Sequence, residues 1–187
     1  MAEPNLIVLT GDMVSVNIKK IKEEMKILKT LKAKDGVFAI LGNRDLCCNE
    51  EIELIQEFKN ININILKNDV HALKYFDLIG IDDSNNIDVS YLNNKITKKS
   101  IFLAHQPKSV TLIDNIKDIE LMLCGHTHGG QILPFGAIML KRQKQPYLRG
   151  LHKYKKSDIY VNSGAGHTKI PIRFLTRGEI SHIVINS

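Results

Sequence analysis

The sequence predicts an α/β domain, and three observations predict it. Short apolar, β-branched runs of strand length recur along the chain. Segments with helical spacing of apolar residues lie between several of them. Four polar clusters, around Asp12, Asn43, His105 and His126, each follow directly on an apolar run. Alternation of this kind is the signature of α/β architecture, and ligands in such folds gather beyond the carboxyl ends of strands.

The elements can be justified in order. Leu6–Leu9 reads as a buried strand ending in Thr10-Gly11-Asp12. Val16–Leu31 carries Ile18, Ile21, Met25, Ile27, Leu28 and Leu31 near helical spacing, with lysines opposite. Asp35-Gly36 is a turn, Val37–Leu41 a second buried strand and Glu50–Phe58 a helix. Ile61–Leu66 alternates with asparagines, as a strand with one wet face does. Val70–Ile81 reads as one or two strands, followed by the polar loop Asp82–Asn86 and a helix over Val89–Ile96. Ser100–Ala104 and Leu121–Cys124 are strands around a helix from Lys108 to Ile116. Ile159–Val161 and Ile180–Ile185 are late strands. No repeat, low-complexity tract or linker interrupts the chain, so residues 1–187 are expected to form a single domain.

Composition narrows the classes. Hydrophobic residues make up 43% and charged ones 25%, values of a globular protein. No apolar stretch approaches the roughly 18 residues of a membrane span. Met1-Ala2-Glu3-Pro4 leads straight into a strand, so no signal peptide is visible and a cytoplasmic location is expected. Three cysteines, two of them the adjacent Cys47 and Cys48, make no disulfide framework. The net charge is +6, and Lys141–Lys156 holds seven Lys or Arg and no acid. That run reads either as a solvated loop, as an anion-attracting rim, or as a peripheral contact with an anionic membrane. Two tyrosines within it, Tyr147 and Tyr154, make no case for single-stranded nucleic acid.

The polar clusters carry the chemistry. They are Thr10-Gly11-Asp12, Gly42-Asn43-Arg44-Asp45, Ala104-His105-Gln106-Pro107 and Cys124-Gly125-His126-Thr127-His128-Gly129-Gly130. Singly, each is ordinary turn chemistry or an ordinary histidine. In this order, each at a strand end, they point to metal-dependent phosphoester hydrolysis. Two divalent ions about 3.5–4 Å apart can hold a phosphoryl group and a hydroxide in line. Such a pair needs a bridging carboxylate, for which Asp12 is the candidate. Asn43, His105, His126 and His128 supply neutral donors. Mixed imidazole, amide and carboxylate ligands suit Mn, Fe, Co or Zn better than Ca or Mg.

The same residues give the chain its resemblance to the calcineurin-like metallophosphoesterases. That family's motifs run D-x-H, G-D, G-N-H-[DE], a later H, and G-H-x-H. Gly11-Asp12, Gly42-Asn43-Arg44-Asp45, His105 and Gly125-His126-Thr127-His128 match the last four. The stretch Gly125–Ile132, together with Ile170-Pro171-Ile172-Arg173-Phe174, resembles the bacterial phosphodiesterase branch. Some members of that branch cleave UDP-2,3-diacylglucosamine in lipid A biosynthesis, and several carry an N-terminal membrane anchor. The resemblance implies a four-layer α/β/β/α sandwich with the site at one edge of two sheets. It implies that Asp12 bridges two metals, that Asn43, His105 and His126 complete one, and that His128 binds the other.

Two departures from the family pattern stand out. The D-x-H motif is absent from this chain, because no histidine precedes Asp12. The expectation is a sandwich lacking its first strand, a chain truncated at the N-terminus, an incomplete second metal site and weak activity. A longer form carrying an anchor would be membrane-associated. The second departure is Arg44 in place of the family's histidine. Arginine stays protonated and cannot act as a general acid, but it can brace a phosphoryl oxygen. That favours a phosphate or pyrophosphate leaving group over an alkoxide. Arg44 alternatively forms only a salt bridge with Asp45 or a nearby acid.

The function expected is a metallophosphoesterase of phosphodiesterase or pyrophosphatase type, acting through a metal-bound hydroxide on a small or lipid-linked phosphoester. Arg44 and Asp45 are the candidate catalytic residues, with Asp45 orienting Arg44. Arg44 and Arg173 are the candidate substrate contacts, although Arg173 also suits a surface salt bridge. The glycines of Gly164-Ala165-Gly166-His167 would let backbone approach the cleft. His71, His152 and His182 receive no role, and Ser109 and Ser163 have no visible His–Asp partnership. Two alternatives remain open: a non-catalytic single-metal scaffold, and a basic anion-surface binder using Lys141–Lys156.

Overall fold

The computed structural model describes residues 3–13, 22–46, 51–83 and 87–186. In chain order the elements are β1 (Ile7–Leu9), α1 (Lys22–Leu28), β2 (Val37–Ala39), α2 (Asn43–Leu46), α3 (Glu51–Asn60) and β3 (Ile63–Ile65). There follow β4 (Asp69–Ala72), β5 (Asp77–Gly80), β6 (Ser100–Leu103), β7 (Ile119–Cys124), α4 (Phe135–Arg142), β8 (Gly150–Tyr154) and β9 (Ser157–Val161). The strands form two sheets. One is parallel, in the order β1-β2-β3. The other has six strands in the order β4-β5-β6-β7-β9-β8, with antiparallel pairs at both edges.

Side-chain alternation explains the layering, because successive residues of a strand face opposite ways. Along β2 and beyond, Val37, Ala39 and Leu41 join a core with Leu54 and Phe58 of α3 and with Met25 and Leu28 of α1. Phe38 and Ile40 face the other way and meet Leu78, Ile101, Leu103 and Leu123 of the second sheet. The other face of that sheet, with Ile79, Phe102 and Met122, packs on Leu92, Val110 and Ile113. The order is therefore helices, sheet, sheet and an outer layer, as the predicted four-layer α/β sandwich requires. Both sheets are buried on both faces, so their central strands read as continuous apolar runs. Full burial of a side chain such as Phe38 or Ile40 stabilises the fold by roughly 1.5–3 kcal/mol.

Several elements differ from the sequence expectation. The outer layer over the six-stranded sheet is 3₁₀ rather than α-helical, at Ser90–Asn94 and Pro107–Asn115. Both segments connect strands, a setting in which 3₁₀ turns are frequent. Val70–Ile81 contains two strands, β4 and β5. Ile180–Ile185 pairs with no strand among the described residues and is largely exposed, because an extended segment needs ladder partners to become a strand. Helix α4 and strand β8 have no counterpart in the expectation. Ile18, Ile21, Cys47, Cys48 and Glu50 lie outside the described residues. Among the described residues no helix is long and apolar enough to cross a membrane.

Candidate metal centre

Four loops at the carboxyl ends of β1, β2, β6 and β7 converge at one edge of the two sheets. Their approach is unusually close. A Cβ on Gly11 would lie 2.6 Å from the Gly42 nitrogen and 2.7 Å from His105 Nδ1. One on Gly42 would lie 2.4 Å from Asp12 Oδ1. Glycine at both positions is therefore a condition for bringing Asp12 onto His105. The backbone is also in the left-handed region at Asp12 (φ 56°), His126 (φ 68°) and His128 (φ 50°). Such conformations cost roughly 1–3 kcal/mol each and gather at functional sites.

The carboxylate of Asp12 sits at the centre. Its Oδ2 is 3.4 Å from His105 Nε2, and its Oδ1 accepts a hydrogen bond from the Arg44 backbone N–H at 2.9 Å. His126 Nδ1 is 3.1 Å from His105 Nε2, with the two rings nearly perpendicular. One ligand atom from each of Asp12, His105 and His126 lies within 4.8 Å of the others. His105 Nδ1 is 2.7 Å from the Thr10 carbonyl oxygen. A neutral His105 donates its Nδ1–H there, which turns the Nε2 lone pair into the cluster, the usual way of fixing a ligand tautomer.

Two further polar atoms fit the same purpose. Asn43 Oδ1 and His128 Nδ1 are buried without a hydrogen-bond partner. A buried acceptor left unpaired costs roughly 1–3 kcal/mol, and coordination of a cation would recover it. The residues present therefore fit divalent metal ions: one carboxylate, one amide oxygen and three imidazoles.

Charge and burial tune these groups. Burial opposes ionisation of Asp12, but the hydrogen bond and charge of His105 outweigh it and hold the carboxyl below its usual value. Burial likewise opposes protonation of His105, yet contact with Asp12 raises its pKa. Burial and the neighbouring His105 push His126 down to about 4. His128 is lowered by burial and then by the charge of Arg173. His126 and His128 are thus held neutral, the form that ligates metals.

The other predicted residues are placed as follows. Asp45, buried in α2, accepts hydrogen bonds through Oδ2 from the backbone N–H of Asp12 (2.8 Å) and of Gly42 (2.9 Å). The Arg44 guanidinium donates to Thr168 Oγ1 at 2.7 Å. Arg173 donates to five backbone carbonyls, those of His128, Ser163, Gly164, Gly166 and Arg177. Its guanidinium therefore braces the loop behind His128. Cys124 is buried beneath the site, and burial pushes its thiol up to about 12.

The sequence offered no signal for Thr168 or for Gln131, whose amide oxygen accepts from Thr168 N–H while its nitrogen donates to the Thr168 and Ile170 carbonyls. Neither did it mark Gln143, whose side chain acts on the His126 imidazole and partly offsets the fall in its pKa. Asp83 accepts from Gln106 Nε2 at 2.6 Å, and Gln106 Oε1 accepts from Gln145 at 2.7 Å. The adjacency of Gln106 to His105 was the one clue available for that network.

Comparison with known proteins identifies the family. The family model for calcineurin-like phosphoesterases matches residues 2–130. A protein named as an uncharacterized metallophosphoesterase of Helicobacter pylori strain J99 is 36% identical over 192 residues, covering 97% of this chain and 51% of that protein. The Bacillus subtilis metallophosphoesterase YkoQ is 30% identical, covering 95% of this chain and 71% of its own length. A zebrafish (Danio rerio) transmembrane protein with metallophosphoesterase domain is 28% identical, covering 97% of this chain and 46% of that protein. Against the Helicobacter relative the chain spans about half the partner's length. Among solved structures, a Thermus thermophilus sulfate thiohydrolase, SoxB, matches with a TM-score of 0.55 at 12% identity, over 83% of this chain and 33% of that one. That likeness concerns the fold alone. Matched over more than half its length by the family model, this chain belongs to the calcineurin-like phosphoesterases.

Proposed function

We propose that the chain hydrolyses phosphoesters with divalent metal ions held by Asp12, Asn43, His105, His126 and His128. The observation that carries this reading is the meeting of Asp12, His105 and His126; two buried atoms without hydrogen-bond partners, Asn43 Oδ1 and His128 Nδ1, lie on two of the converging loops. Bound ions of the Mn, Fe, Zn or Co class would supply Lewis acidity toward a phosphoryl oxygen and acidify a coordinated water. In the dinuclear form of the proposal Asp12, Asn43, His105 and His126 would hold one ion and Asp12 with His128 the other, which would leave the second site with fewer ligands from this chain.

The chain's own residues do the rest. Arg44 presents a permanent positive charge beside the cluster, suited to a non-bridging phosphoryl oxygen. Asp45 keeps the Asp12 loop in register. Arg173 fixes the His128 loop and supports the phosphate-facing wall indirectly. Because Arg44 cannot protonate a leaving group, the proposed substrates are phosphodiesters or pyrophosphates with weakly basic leaving groups. A lipid-linked nucleotide such as UDP-2,3-diacylglucosamine belongs to that class. The setting proposed is cytoplasmic, with the Lys141–Lys156 run approaching an anionic surface.

The test is turnover of an activated aryl phosphodiester with added Mn²⁺ by the unsubstituted chain and by Asp12→Ala. Loss of turnover is expected; equal rates would exclude the assigned role of Asp12. A second reading is favoured by one observation: the only cluster of three acidic, histidine or cysteine ligands found among the described residues is Asp12, His105 and His126. It is a single-metal, non-catalytic scaffold. Metal analysis after purification without chelator separates the two, since this reading requires about one ion per chain and no turnover.

A further inference from the structure

A second feature lies behind the metal-site wall. Arg149, Arg173 and Arg177 line a cavity of about 760 Å³, together with Ser163, Thr176 and Glu179. Glu179 is engaged by the Tyr160 hydroxyl, by Ser181 Oγ and by the Ser163 N–H. Arg173 is consumed by backbone carbonyls. Arg149 makes one long bond, 3.3 Å to the Leu175 carbonyl. Its other guanidinium nitrogens and the Arg177 head leave the cavity positively charged.

An apolar strip borders this cavity. Leu175 lines it and is 68% exposed. Ile170, Ile172 and Phe174 on the same segment are each more than half exposed. This segment runs beside the entrance to α4, through the Ile132–Phe174 bridge and the Leu133 N–H to Phe174 carbonyl bond. On α4 the residues Phe135, Ile138 and Met139, spaced three and four apart, are 70%, 52% and 60% exposed. The helix buries no residue fully, and Lys141 and Arg142 occupy its last turn. Contiguous exposed apolar surface of this kind marks a partner. Apolar side chains flanked by cations match the chemistry of an anionic lipid interface, where insertion and charge act together.

We propose that this face docks on anionic phospholipid membranes, with the Arg149–Arg177 cavity seating a phosphate headgroup and the strip of α4 and residues 170–175 entering the interface. Thr168, bonded to Arg44 at the metal cluster, lies two residues before Ile170, so docking sets the cluster close to headgroup level. The inference rests on the proposed phosphoesterase reading for its purpose but not for its test.

The test is sedimentation of the 187-residue chain with vesicles of phosphatidylcholine, with and without phosphatidylglycerol, in EDTA. Binding that requires phosphatidylglycerol is expected. The pair Arg149→Gln and Arg177→Gln should weaken it about twentyfold, and the pair Phe135→Ser and Met139→Ser at least as much. Phe135→Trp, in a chain without tryptophan, should show a blue-shifted emission on anionic vesicles. Absence of vesicle binding overturns the proposal. So does unchanged binding by either pair, or an emission from the Phe135→Trp chain that does not shift. A dimer seen by light scattering and dissolved by Phe135→Ser and Met139→Ser would also overturn it, assigning the strip to a second copy. Turnover of a soluble aryl phosphodiester by these variants is expected to stay unchanged. In the unsubstituted chain, turnover without vesicle binding sinks only the docking, and vesicle binding without turnover sinks only the phosphoesterase reading.

Discussion

Asp45 Oδ2 accepts the backbone N–H of Asp12, thirty-three residues earlier in the chain, at 2.8 Å. The same oxygen accepts the Gly42 N–H at 2.9 Å, so one carboxylate ties the β1 loop to the β2 loop. Asp45 is 2% exposed, and removing it strands two N–H groups. Asp45→Ala should therefore lower stability by about 2–4 kcal/mol, read from urea denaturation. Asp45→Asn keeps an acceptor oxygen and should cost less than half of that. Both should weaken metal binding, measured by calorimetry, because Asp12 loses its fixed position. An Asp45→Ala chain with unchanged stability would show that the two loops hold register without it.

Metal affinity should rise with pH. Asp12 raises the pKa of His105 above its ordinary 6.5 despite burial. A proton on His105 stabilises the metal-free fold. That contribution is complete below the unfolded value and lost as pH climbs through the folded one. A metal must displace this proton, so its apparent Kd should fall as pH rises above 6.5. Isothermal titration of Mn²⁺ in buffers of different ionisation enthalpy would detect the released proton. His105→Gln should abolish the release.

Arg44 offers a separable readout through leaving-group chemistry. A guanidinium beside the cluster supplies charge but no transferable proton. Turnover should therefore fall steeply as the leaving group becomes more basic, from aryl to alkyl phosphodiesters. Arg44→His should flatten that dependence and add a basic limb to the pH profile, since an imidazolium can protonate an alkoxide. Arg44→Lys retains charge but loses the fork that meets Thr168 Oγ1, so KM should rise more than kcat falls. Equal leaving-group slopes for the unsubstituted and Arg44→His chains would remove the argument for weakly basic leaving groups.

What could be read in advance follows from where the information is local. Buried parallel strands such as Val37–Leu41 are contiguous apolar runs, and the glycines beside Asp12 and Asn43 mark backbone that must pass closely. Asp12, His105 and His126, which meet in the fold, could be picked out because each follows within a few residues of a strand end. The 3₁₀ character of Pro107–Asn115 was not, since its apolar spacing satisfies a helix of either pitch. Ile180–Ile185 has strand composition, yet pairing is a property of neighbours rather than of the segment. Thr168, Gln131 and Gln143 reach the site from loops whose course depends on tertiary packing, and no periodicity betrays them. Arg173 illustrates the limit most clearly: its charge suggested phosphate, while its five carbonyl partners lie scattered from His128 to Arg177.

The Glu179 carboxylate is a second brace, accepting from Tyr160, Ser163 and Ser181, and its protonation should be visible in stability. Burial favours the neutral acid, but hydrogen bonds from Ser181, Tyr160 and Ser163 prevail and lower its pKa from 4.5 to about 2. A depressed carboxyl contributes stability that is fully present above the unfolded value and lost as pH falls toward the folded one. The window is therefore between 4.5 and about 2. Glu179→Gln should be less stable than the unsubstituted chain at neutral pH and nearly equal to it at the acid end. Thermal melts across this range measure the difference. Because Glu179 holds Ser163, whose carbonyl accepts from Arg173, the substitution should also loosen the loop behind His128. Hydrogen exchange at residues 163–166 should quicken in Glu179→Gln at neutral pH. Parallel stability curves for the two chains down to the acid end would show that this carboxylate titrates without restraint.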